Sequence, residues 1–139
     1  MALSVATLTS TTYRHAVALS YRHLYKTVLR TIRYSVPSRY VLRGVLRAAF
    51  RAGSPRDFDP QRIVNTIAFL DRAGSPGTME RKILKSMTMV RYWQQPGIAG
   101  VPPLFYYRVG LDWDLLKIPN KHYNRVLHLL NESLGLCLR

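Results

Sequence analysis

The residues with the clearest chemical potential are cations set at helical intervals with no acids beside them. Arg39, Arg43, Arg47 and Arg51 follow one another at steps of four. Arg22, Lys26, Arg30 and Arg33 fall within roughly 80° of one another at about 100° per residue. A guanidinium presents paired N–H groups that match a carboxylate or a phosphate, so rows of them call for an anion. Like charges one helical turn apart repel by a few tenths of a kcal/mol per pair. Nothing nearby in the sequence offsets that repulsion, so the anion is expected to come from outside the chain. The whole sequence agrees: 139 residues carry 21 Lys+Arg against 7 Asp+Glu, a net charge of +14. Residues 1–56 hold ten of those cations and no acid, leaving +4 for the other 83 positions. Nucleic acid, an acidic protein or an anionic membrane surface would each answer such a charge.

Other reactive side chains do not form recognisable sites. His15, His23, His122, His128 and the single cysteine, Cys137, lack the short spacings of a zinc site, and one cysteine cannot close an internal disulfide. Asp112 and Asp114 would project to the same side of an extended segment, as paired carboxylates do in acid/base sites, but no nucleophile motif or phosphate loop stands beside them. No P-loop, dinucleotide fingerprint or nucleophile elbow occurs. The chain therefore reads as a non-enzyme with no metal and no cofactor of its own. Tyr92, Trp93, Phe105, Tyr106, Tyr107 and Trp113 alternate with Arg91 and Arg108, a composition shared by base-stacking platforms and protein interfaces. Arg91, Trp93 and Arg108 are accordingly candidate contacts to RNA or to a protein partner. The long uncharged stretch around these aromatics is interrupted by proline and glycine and does not suit a membrane span.

The elements that must position these groups are helical. A composition of 47% hydrophobic and 20% charged residues suits a folded core, and the length suits one domain. From Thr12 to Tyr34, Val17, Tyr21, Leu24, Tyr25, Val28 and Ile32 share one side of an amphipathic helix, which Pro37 stops. Ser38 is a candidate cap for a second helix running to about Ala52, before Gly53-Ser54-Pro55. Asp59-Pro60 opens a third, stopped at Gly74, and Thr78 caps a fourth, ended by Pro96-Gly97. Residues 96–119, rich in Pro, Gly and aromatics, read as an extended segment, and Asn120 opens a last helix closed by Gly135. The expected organisation is an N-terminal tail (1–12), a helical bundle (13–95) and an extension with a C-terminal helix (96–139). The first twenty residues of the chain, with seven Ser+Thr, Arg14 and no acid, have the composition of a mitochondrial transit segment, read as an uncleaved address.

Within the first helix stand Leu24-Tyr25-Lys26, with Arg30 one turn further on and Phe50 near the end of the basic second helix. In these residues, and in the Asp-Pro helix that follows, the chain resembles the LYR-motif family, over roughly residues 13–95. It departs from the family in carrying Lys26 where arginine is usual, which keeps the charge but loses the forked geometry. The resemblance implies an all-α fold, a small antiparallel bundle of three to four helices, acting in the mitochondrial matrix as an adaptor for the mitochondrial acyl carrier protein. It implies that Arg22, Leu24, Tyr25, Lys26, Arg30, Arg43 and Arg47 meet the acidic carrier, with Tyr25 near the entrance for the 4′-phosphopantetheine arm. Val28, Leu46, Phe50 and Ile67 would line a tunnel for the acyl chain, which the carrier supplies. Ordinary core packing is the alternative for Tyr25 and Phe50, and a solvated face is the alternative for the arginines.

The expected function is thus a non-catalytic adaptor that supports assembly or stability of a large mitochondrial complex. The mitochondrial ribosome is favoured because the charge exceeds the needs of one carrier and could meet ribosomal RNA. Respiratory complex I and the iron–sulfur machinery are the family's other destinations. The rival expectation is direct RNA binding without a carrier, and stable membrane insertion is not expected.

Overall fold

The computed structural model of the chain describes residues 4–94 and 113–138, and side chains for 4–92 and 121–138. All regular structure among the described residues is helical: α1 (Val5–Ser10), α2 (Tyr13–Thr31), α3 (Ser38–Ala52), a 3-10 turn (Pro55–Asp57), α4 (Pro60–Ala73), α5 (Met79–Gln94) and α6 (Trp113–Leu134). The result is a small all-α bundle. Helix α2 packs on α3 and α4, and α5 packs on the same two helices, so α3 and α4 share both neighbours. Leu24, Val28, Leu42, Ile63, Leu70, Leu84 and Met87 from these four helices meet in one buried cluster.

Small and hydroxylated residues let α2 approach α4 closely. Ala16 and Ser20 on α2 and Ala73 on α4 are fully buried. The Ser20 hydroxyl donates to the Ala16 carbonyl at 2.8 Å, and Thr31 Oγ1 lies 2.8 Å from the Thr27 carbonyl and 3.0 Å from that of Leu70. These hydroxyls add no unpaired polar group to the interior.

The ends of the elements show where local signals hold and where they fail. Asp59 caps α4, accepting from the Gln61 and Arg62 amides at 2.9 and 3.4 Å, with Pro60 in the first turn. Thr78 Oγ1 accepts from the Arg81 amide at 3.4 Å at the start of α5. Ser38 is instead the first helical residue of α3. Pro37 holds the cap position without a side-chain bond, so the expected serine cap is corrected. Helix α2 ends at Thr31, short of Tyr34, because Arg33 and Tyr34 turn into the left-handed region at φ 52° and 55°. The expected tail contains α1, whose Leu8 is buried against α2 and α4; one apolar anchor and the Ser4–Thr7 capping box outweigh the loop-like composition.

The last helix begins at Trp113, so the expected extended segment is helical over 113–119 and Asn120 lies inside α6. Leu115, Leu116 and Lys117 are strong helix formers, and they prevail over the single breaker Pro119. Asp114 belongs to this helix, so the extended pairing imagined for it with Asp112 does not apply; Asp112 lies outside the described residues.

Removing the Asp59 cap by Asp59→Ala should cost about 1 kcal/mol, and Asp59→Asn much less, because asparagine still caps. Thermal unfolding followed by circular dichroism checks this as a shift of a few degrees.

Candidate anion-binding face and apolar cavity

Helices α2 and α3 carry the cation rows, and an aromatic strip runs between them. Tyr21 and Tyr25, one turn apart on α2, stack at 6.0 Å with ring planes 5° apart. Tyr21 also meets Phe50 of α3 edge-on at 5.3 Å. Helical spacing places Arg22, Lys26 and Arg30 beyond this strip on α2, all exposed, and Arg43 and Arg47 beside Phe50 on α3. Among the described residues the ion pairs are Arg62–Asp59 at 3.5 Å, Arg62–Glu132 at 3.1 Å and Arg72–Glu80 at 3.6 Å. None of them takes a cation from α2 or α3.

One local partner offsets part of the repulsion along α3, contrary to the sequence reading. The Arg39 guanidinium lies 4.7 Å from the centre of the Tyr40 ring and donates to its hydroxyl at 2.7 Å, and Arg43 lies 5.7 Å from the same ring. An aromatic face attracts such cations but leaves their charge in place. The α3 row therefore remains available to an external anion.

Inside the ring of helices is an apolar cavity of about 180 Å3. Its walls are Val17, Leu24 and Val28 from α2, Leu42, Leu46 and Phe50 from α3, Ile63, Thr66 and Leu70 from α4, and Leu84 and Met87 from α5. Tyr13 and Phe58, in edge-on contact at 5.6 Å, close part of it, and Asp57, Asp59 and Arg62 give it one polar margin. Arg62 is held there by its hydrogen bond to Glu132, which together with that carboxylate's charge raises the arginine's pKa further.

Arg91 also lines the cavity, with its guanidinium 5.6 Å from the centre of the Tyr123 ring on α6. Burial raises the Tyr123 phenol pKa, and Arg91 works against that rise. A phenol whose pKa is raised on folding contributes stability below its unfolded pKa, and that contribution is lost as pH climbs through the folded value. The alkaline loss of stability above about pH 10 should therefore shrink in Tyr123→Phe, as urea unfolding at graded pH would show.

The structure brings together most, but not all, of the residues singled out by sequence. Val28, Leu46 and Phe50 line the cavity, as does Leu24. Ile67 does not; it packs half-buried on the outer edge of the core. Tyr25 is separated from the cavity by Tyr21 and Phe50, so it lies on the cationic face and not at the cavity wall. Arg91 turns inward, the Trp93 side chain lies outside the described ones, and Arg108 lies outside the described residues.

Comparisons with family models, curated proteins and solved structures gave no match. The functional reading below therefore stands on sequence and geometry. Among the described residues no helix is long and apolar enough to cross a membrane, and no three His, Cys, Asp or Glu side chains are grouped to hold a metal ion.

Sequence reasoning missed Thr66, Cys137 and Leu138, which reach the cavity wall from the middle and the last residues of the chain. The only advance signal was the Gly135 stop after α6, which marks where the chain can turn back.

Proposed function

We infer that this protein is a non-catalytic adaptor that binds an acylated acyl carrier protein, the mitochondrial carrier in keeping with the LYR resemblance. The observation that carries the reading is an apolar cavity of about 180 Å3 walled in part by the same two helices whose outer sides hold cation rows without carboxylate partners among the described residues. An acidic helix of the carrier answers the rows, and the acyl chain on its 4′-phosphopantetheine answers the cavity. Apolar cavities near 150 Å3 hold a benzene ring, so this one suits an alkyl segment of about six carbons. At about 0.8 kcal/mol per methylene, such a segment contributes on the order of 5 kcal/mol. Arg22, Lys26, Arg30, Arg43 and Arg47 are the carrier contacts in this reading, with Tyr25 in the aromatic strip between them.

The adaptor serves assembly or stability of a large complex in the mitochondrial matrix. A net charge of +14 exceeds what one carrier surface needs, which favours the mitochondrial ribosome, where RNA meets the surplus. Respiratory complex I and iron–sulfur machinery are the alternative destinations.

A second reading, direct RNA binding, is favoured by Tyr40, an exposed ring beside Arg39 and Arg43 that suits base stacking. Native mass spectrometry of the protein co-expressed with the carrier separates the two. The adaptor reading expects a one-to-one complex with the mass of an acylated cofactor, lost when the carrier's phosphopantetheine-bearing serine is replaced. A monomer indifferent to the carrier overturns it and leaves the RNA reading.

A further inference from the structure

After α6 the chain reverses and runs back along α4. Gly135, at φ +58°, makes the turn, and the Leu136 amide donates to the Asn131 carbonyl at 2.9 Å, the long closing bond of a glycine helix stop. Side chains hold the next residues. Asn131 grips Leu138 from both sides: its Nδ2 donates to the Leu138 carbonyl at 2.6 Å, and its Oδ1 accepts from the Leu138 amide at 3.0 Å. Thr66 Oγ1 accepts from the Cys137 amide at 3.0 Å, and Asn65 Nδ2 donates to the Gly135 carbonyl at 3.2 Å. Leu136 and Leu138 are 2% and 8% exposed.

This return separates two spaces. On one side is the apolar cavity; on the other is a more polar cleft of about 480 Å3 against α6, lined by Asn124, His128 and Glu132 as well as Leu127 and Leu136. Cys137 and Leu138 border both, as do Asp57, Asp59 and Arg62. Leu138 is the bulkiest apolar group in that shared boundary. We propose that Leu138, clamped by Asn131, is the stop that sets how long an alkyl chain the cavity accepts.

The proposal rests on the reading of the cavity as an alkyl site. Within an apolar cavity each added methylene tightens binding about fourfold, until the chain meets a wall. Beyond Leu138 a chain enters a cleft of mixed polarity with charged walls, where further methylenes gain less. Leu138 thus turns a general apolar preference into a length preference.

The test is calorimetric binding of straight-chain acyl thioesters of N-acetylcysteamine, from butanoyl to hexadecanoyl, to the full chain and to Leu138→Ala and Leu138→Phe. Circular dichroism confirms folding of each variant. The wild-type protein should tighten with length and then level off. Leu138→Ala should move the plateau two or three carbons longer, roughly a fifteen- to sixtyfold gain for the longest bound chain. Leu138→Phe should move it shorter, and it decides the matter alone if the alanine variant does not fold. A plateau at the same length in all folded forms overturns the stop and leaves the alkyl site standing. If no thioester binds any form, the alkyl site itself fails, and the stop fails with it.

Discussion

Arg43→Glu/Arg47→Glu is expected to abolish carrier binding while leaving the fold at least as stable as before. The two side chains lie on the α3 row that no described carboxylate neutralises. Reversing both replaces two attractions toward an acidic helix with two repulsions, a loss of about 2–4 kcal/mol, or roughly thirty- to thousandfold in affinity. Within α3 the change has the opposite sign. Glutamates at 43 and 47 would face Arg39 and Arg51, converting two of the three like-charge steps into opposite-charge pairs worth a few tenths of a kcal/mol each, while the 43–47 step stays like-charged. Loss of contact between Arg43 and the Tyr40 ring subtracts a similar amount. Biolayer interferometry against the acylated carrier, paired with thermal unfolding, reads both effects. Arg72→Glu, at a side chain 67% exposed on α4, is the control that should leave affinity nearly unchanged. A folded double variant that still binds removes α3 from the interface.

Phe69→Ala is expected to cause the largest loss of stability of any single truncation considered. The ring is 2% exposed in the core and lies outside the cavity wall, so its removal creates a new void. Such truncations cost about 3–5 kcal/mol, and at this chain length the midpoint should fall by roughly 10–20 °C. Phe50→Ala should cost less than half as much, because that ring is half-buried and borders space that already exists. The pair decides between two roles for Phe50. Equal losses in urea unfolding would make it a structural core residue, whereas a small loss with impaired carrier binding would make it part of the site.

Helices α2 to α5 were legible as elements, and α4 and the start of α5 in their bounds too, because those bounds have a local cause: Asp59-Pro60 at one start, Thr78 at another, Gly74 at a stop. The cavity wall was partly legible for the same reason. On α2, Leu24 and Val28 lie close together around the helix and line the cavity, while Tyr25, set by the resemblance near the entrance for the 4′-phosphopantetheine arm, stacks on Tyr21. Ile67 lies about 40° around α4 from Ile63 yet packs at the edge of the core, a difference that helical spacing alone does not encode. The contributions of Thr66, Cys137 and Leu138 could not be read locally. The Thr66–Cys137 hydrogen bonds span 71 residues, and no periodic pattern encodes a chain that doubles back on side-chain clamps such as Asn131 on Leu138. Pro119 misled in the other direction, since one strong breaker hid a helix that its neighbours support.

The cation rows lie on α2 and α3, whereas the paired carboxylates Asp59, Glu80 and Glu132 lie at the start of α4, on α5 and on α6, so the molecule carries an electric moment as well as a net charge. As it nears a polyanion, the field of the partner exerts a torque on that moment, turning α2 and α3 forward before any atoms touch. Such guidance typically raises encounter rates by about 10- to 1,000-fold at low ionic strength. At physiological salt it acts only over the last nanometre or so of approach. Charge layout would then govern how fast and in what orientation a partner is met, while the cavity governs how long it stays.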